Sequence, residues 1–136
     1  MGMERKRPTH TSELTELIER YRNSPEFQFV DLSDINAKGM TGDTLLHAAV
    51  TRGELNHVRI LIASGASVSA IGDLGETPLH YAASRGLLGI ARKLIQCGAD
   101  INLRNEFGQT PLDLAKLRDR KEIIGLFKKL KRDGSV

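Results

Sequence analysis

Apolar and polar positions along this chain follow the periods of short helices, and glycine interrupts them at regular places. Leu14, Leu17, Ile18 and Tyr21 share one stripe of a helix. The pattern starts that helix near Ser12, a residue suited to the N-cap, with Glu13 and Glu16 in the first turn facing the positive end of the macrodipole. Pairs of helices follow. One runs from Leu45 or Leu46 to the turn at Thr51-Arg52-Gly53, the next from about Leu55 to Ser64, and the same pair recurs up to Gly86 and Gly98. Pro78 opens its helix at a place where no N–H is needed. A glycine after the last helical residue takes the left-handed conformation that ends one helix and admits the next. In a third pair Asp119 stands at that turn, and aspartate is among the few residues that tolerate the conformation. Finally Ile123, Ile124, Leu126, Phe127 and Leu130 interleave with Lys121, Glu122, Lys128, Lys129 and Lys131. This predicts a closing helix with one face packed and one in water, its cations in the last turns.

The pairs are copies of one another. At an interval of 33 residues Gly42, Gly75 and Gly108 coincide, then Thr44, Thr77 and Thr110, then Leu46, Leu79 and Leu112, then Ala49, Ala82 and Ala115. Gly53 matches Gly86, Gly65 matches Gly98, and Leu61, Leu94 and Phe127 align. Self-similarity of this kind marks a stack in which each unit buries its apolar face against the next. Thr77-Pro78-Leu79-His80-Tyr81-Ala82-Ala83, with Gly86, Leu94-Ile95 and Gly98-Ala99-Asp100-Ile101-Asn102, closely resembles the ankyrin repeat. Thr44-Leu45-Leu46-His47-Ala48-Ala49 is a looser copy, and Gly108-Gln109-Thr110-Pro111-Leu112-Asp113 a terminal one, with Asp113 in place of histidine. The resemblance covers roughly residues 34 to 130. It implies an all-α ankyrin-repeat solenoid of stacked helix-turn-helix units with β-turn or hairpin fingers. It also implies that the Thr44–His47 and Thr77–His80 pairs hold finger to helix, and that the protein binds macromolecules without catalysis.

The chain divides accordingly into a disordered N-terminal tail (1–10), a degenerate N-terminal capping repeat with a loop insertion (11–37), ankyrin repeats 38–70 and 71–103, a C-terminal capping repeat (104–132) and a short disordered tail (133–136). Asp34-Ile35-Asn36-Ala37 keeps the register of Asp100-Ile101-Asn102-Leu103, so the first unit is expected to have lost its inner helix and gained a loop through residues 23–30. Phe27, Phe29 and Leu32 are expected to anchor that loop on the core.

Composition narrows the class. With 136 residues, 40% of them apolar and no Trp, the chain suits one small helical solenoid. No apolar run approaches the roughly 18 residues of a membrane span, and the first residues lack the apolar segment of a secretory signal. The single cysteine, Cys97, precludes an internal disulfide, so an intracellular, cytoplasmic monomer is expected. The formal charge of +3 is concentrated at the ends, in Arg5, Lys6 and Arg7 and in Lys116, Arg118, Arg120, Lys121, Lys128, Lys129, Lys131 and Arg132. A charged outer face on a terminal repeat accounts for this; the alternative is a nucleic-acid or anionic-surface binder working through the basic C-terminal cap.

Candidate chemistry is sparse. His10, His47, His57 and His80 lack metal-ligand spacing, and there is no GxSxG, CxxC or Walker lysine, so no catalytic residue, cofactor or metal is expected. Binding follows the period instead. Family members commonly bind through finger tips and inner helices, which the resemblance maps to Met40, Thr41 and Asp43, to Asp73, Leu74 and Glu76, and to Glu106, Phe107 and Gln109. On the inner helices it maps to Arg52, Arg85 and Arg118 beside Thr51, Ser84 and Leu117, with Ile71 and Arg104 leading into their fingers. Thr41, Leu74 and Phe107 form an apolar row, Asp43 and Glu76 an acidic one, and the three arginines a cationic ladder. Two readings stay open. Either these rows bind a protein partner, as an inhibitor, immunity-type protein or adaptor would, or Leu74 and Phe107 pack on neighbouring fingers while the arginines pair with Asp43, Glu76 and Gln109.

Overall fold

The structure, a computed structural model, describes residues 9–134, with side chains from Ser12 onward. The expected tail 1–10 therefore lies mostly outside the described residues, as does the end of the tail 133–136. Among the described residues there are seven α-helices and no strand: α1 (Thr9–Arg22), α2 (Leu45–Thr51), α3 (Leu55–Ala63), α4 (Pro78–Arg85), α5 (Leu88–Gln96), α6 (Pro111–Leu117) and α7 (Lys121–Arg132).

Helices shorter than about 12 residues are marginal alone, so these depend on being stacked. Helices α2, α4 and α6 pack side by side as an inner row, and α1, α3, α5 and α7 as an outer row, with α2 on α3, α4 on α5 and α6 on α7 closing each unit. Small residues let the inner helices approach: Ala49, Ala82, Ala83 and Ala115 are fully buried. Leu46, Leu61, Leu79 and Leu94 fill the space between the rows. The terminal unit keeps the pattern but changes its outer side. Leu112, equivalent to Leu46 and Leu79, packs on the core yet is only half-buried, and Lys116 stands exposed where Val50 and Ala83 are buried.

Each inner helix starts in the same way. Thr44, Thr77 and Thr110 are extended, and their hydroxyl oxygens accept from the backbone N–H three residues on, in a capping box that satisfies donors otherwise orphaned. Asp119 takes the left-handed conformation expected of it, at φ 57°.

The N-terminal unit departs from expectation in two places. Helix α1 begins at Thr9, so Ser12 lies inside it and no acidic residue falls in the first turn. Thr9, Thr11 and Ser12 are all competent caps, and nothing between them breaks the helix. The loop after α1 does anchor on the core, but through Phe27, in a 3-10 turn at Pro25–Phe27, and Leu32, both buried. Phe29 does not. It is 96% exposed with φ 71°, a backbone turn that directs its side chain outward. Glu26 O then accepts from Met40 N–H (2.9 Å), which docks the loop against the first finger. Gly39 is needed there because a Cβ would meet Glu26 O at 2.5 Å.

Candidate binding surface

Three fingers project ahead of the inner helices, each a turn closed by two backbone bonds. Gly39 N–H donates to Asp43 O, Gly72 N–H to Glu76 O and Asn105 N–H to Gln109 O, at 2.7, 2.8 and 2.9 Å. A second bond runs from Gly42, Gly75 and Gly108 back across each turn. Buried histidines tie the second and third fingers to the unit before each. Thr44 N–H donates to His47 Nδ1 (3.1 Å), which leaves the proton on Nε2, and Nε2–H donates to Glu76 O (2.9 Å). Thr77, His80 and Gln109 O repeat the arrangement with distances of 3.1 and 2.9 Å. Burial holds the His47 pKa below the ordinary histidine value, so the ring is kept neutral as a donor. Asp113 occupies the third such position and folds onto its own cap, accepting from Thr110 N–H (2.9 Å).

The acidic row is consumed internally. Tyr81 Oη donates to the Asp43 carboxylate, 2.9 Å from each oxygen, and Asp73 N–H donates to Asp43 Oδ1 (2.9 Å). Burial, then the neighbouring Asp43 charge, pushes the Tyr81 hydroxyl pKa far up, so it remains a donor. Glu76 accepts from Asn105 Nδ2 (3.0 Å), which also reaches Gln109 Oε1 (3.1 Å). Fingers two and three are joined directly by Glu106 N–H to Leu74 O (3.0 Å).

The cationic ladder is uneven. Arg52 stacks over the Tyr21 ring, 4.1 Å from its centroid, and bonds to Ser24 Oγ, so it belongs to the N-terminal cap. Arg104 donates to Gly108 O (2.7 Å) within its own finger. Arg85 and Arg118 are exposed, and neither side chain makes a hydrogen bond or ion pair among the described residues. The alternative in which the arginines pair with Asp43, Glu76 and Gln109 is not the arrangement found: Tyr81 bonds to Asp43, and Asn105 to Glu76 and Gln109.

Leu74 is 47% exposed and Phe107 68%. Among the described residues the exposed large apolar side chains are Phe29, Met40, Ile71, Leu74, Phe107 and Leu117, and all but Phe29 lie on the fingers, their approaches or the end of α6. Leu74 also has φ 57°, a conformation in which a bulky side chain is strained.

The family model described as Ankyrin repeats (3 copies) matches residues 11–105 and 74–133. The chain belongs to the ankyrin-repeat family. No curated protein matches it. Ankyrin repeats are generally protein–protein interaction modules and are typically non-enzymatic. Among the described residues of this ankyrin-repeat chain no group of three His, Cys, Asp or Glu is placed to hold a metal ion, and no helix is long and apolar enough to cross a membrane.

Several residues that shape the surface escape a reading of the period alone. Asn105 is the clearest, since Gly39 and Gly72 precede it at the same place in the repeat, and that break in the pattern is its visible signal. Tyr81 shows a similar break, between Ala48 and Leu114. Arg120, whose Nε donates to Ser84 O (2.9 Å) across the inter-repeat turn, has no counterpart at equivalent positions.

Proposed function

We propose that this ankyrin-repeat protein is a non-catalytic intracellular binder that covers a protein partner with its fingers and inner helices. The observation that carries the reading is the row of exposed apolar side chains, Met40, Ile71, Leu74, Phe107 and Leu117; among the described residues the other large apolar side chains, Phe29 in the inserted loop apart, are buried or half-buried. Grouped apolar exposure is unfavourable in water and marks interaction sites. Strain at Leu74 adds to this, since a residue held with φ above zero and left half-exposed gains only part of the packing that would offset its cost. Thr41, Asp73 and Glu106, also exposed, form a polar rim around the apolar residues. An inhibitor, an immunity-type protein and an adaptor all act by such coverage.

The test uses the partner captured from the native host. Phe107→Ala and Leu74→Ala are expected to weaken its binding by about 1–2 kcal/mol or more, with the melting temperature kept. A matching fall in stability would reassign both residues to packing. Unchanged binding by both, together with a steep loss of affinity in salt, would favour a polyanion held by the basic C-terminal residues instead.

A further inference from the structure

The charge left unsatisfied on the surface indicates what kind of partner segment fits. Asp43 and Glu76 spend their carboxylates on Tyr81, the Asp73 N–H and Asn105, and Arg52 is committed to Tyr21 and Ser24. Arg85 and Arg118 remain, exposed and without partners among the described residues. Both lie one turn beyond a residue on the finger-facing side of its helix: Arg85 follows Tyr81, whose hydroxyl reaches the first finger, and Arg118 follows the equivalent Leu114. Residues four apart share a helix face, so the two guanidinium groups flank the same surface as the fingers. Arg120 brings a third cation to the end of α4 through its bond to Ser84 O.

Resting on the docking surface proposed above, we infer that its occupant is an acidic protein segment with one apolar edge, its carboxylates set on Arg85 and Arg118 and its apolar side chains on Leu74 and Phe107. Spacing supports this. Packed neighbouring helices lie about 8–10 Å apart, so the two arginines ask for carboxylates roughly 10 Å from one another. Seven residues of a helix span about 10.5 Å, and three of a polyproline-II chain, which returns its side chains to one face every third residue, span about 9 Å. Along the other axis, α4 runs from its finger to Arg85 over about 12 Å, which separates the acidic edge from the apolar one. Nucleic acid fits less well, because a continuous line of phosphates would also meet the exposed carboxylates of Asp73 and Glu106 on the finger tips. A cation at a helix C-terminus also complements the macrodipole, so the test must read binding and stability separately.

The probe is a displayed library of random 16-residue peptides, selected on the full chain at low and at physiological salt. The expected winners combine apolar residues with Asp or Glu pairs spaced by seven or by three. Their affinity should fall at least tenfold on Arg85→Glu or Arg118→Glu and less on Arg85→Gln, with the circular dichroism melt lowered by no more than about 5 °C, the small cost of opposing the helix macrodipole. Lys in place of the paired acids should restore binding to the Glu variants. The inference is overturned if winners lack acidic enrichment, ignore the arginine substitutions, or are displaced equally by single-stranded oligo-dT. Peptides that depend on Leu74 and Phe107 but not on the arginines would leave the docking surface standing and remove its acidic occupant. Recovery of no peptide, or dependence on neither set, would remove both.

Discussion

His47 shows how much a single buried side chain does here. Its Nδ1 accepts from its own cap and its Nε2–H serves the next finger, so it works only as the neutral ring. Because burial lowers its folded pKa below 6.5, the unfolded chain takes up a proton at a pH where the folded one does not. Stability is then complete above about pH 6.5 and declines as pH falls from there toward the folded value. Melting temperatures between pH 7.5 and 5 should show that decline, and His47→Asn should flatten it while lowering stability at neutral pH by about 1–3 kcal/mol. Phe29 poses the opposite case: its side chain makes no buried contact and its backbone is left-handed. Phe29→Asn is expected to leave stability unchanged or raise it by up to about 1 kcal/mol, measured by urea unfolding. The histidines could be read from the repeat because their roles recur with it. Phe29 could not, since it lies in an insertion with no counterpart, and hydrophobicity alone points such a residue inward.

Between elements, the inner row and the outer row hold each other, and α1 closes the outer row by packing on α3. Tyr21 is the centre of that contact, fully buried, bonded to His57 Nδ1 (3.0 Å) and covered by Arg52. The three arginines that share one repeat position therefore separate experimentally. Arg52→Ala should lower stability by about 0.5–1 kcal/mol, whereas Arg85→Ala and Arg118→Ala should stay within about 0.5 kcal/mol of the parent, as thermal or chemical unfolding will show. From α2 onward the elements were legible because the signals repeat: a threonine cap before each inner helix, an apolar stripe along it, Pro78 and Pro111 at two of the starts, and glycine at Gly53, Gly65, Gly86 and Gly98. The start of α1 was not, because three hydroxyl-bearing residues within four positions, Thr9, Thr11 and Ser12, compete for the cap. Nor was the fate of the acidic row. The period aligns positions, but which acceptor Tyr81 or Asn105 reaches first depends on side-chain reach in three dimensions.

At the scale of the molecule, stability passes only between neighbours, through buried leucines and through the two histidine bonds that link one unit to the next. Units with a neighbour on each side should open last. Native-state hydrogen exchange is expected to find the slowest amides in α4 and α5, with α1 and α7 opening first; uniform protection across all seven helices would contradict a chain of locally coupled units. The leucine register, the helix pairs and the family could all be drawn from the sequence, because a stack writes its packing into every copy.

Asp113 also gives the array a direction of growth. With its carboxylate already closed onto Thr110, that position offers an incoming finger carbonyl another oxygen instead of an N–H. Anyone lengthening this scaffold by duplicating its middle unit would have to install an imidazole at residue 113 first, or the new joint would begin with two acceptors facing each other.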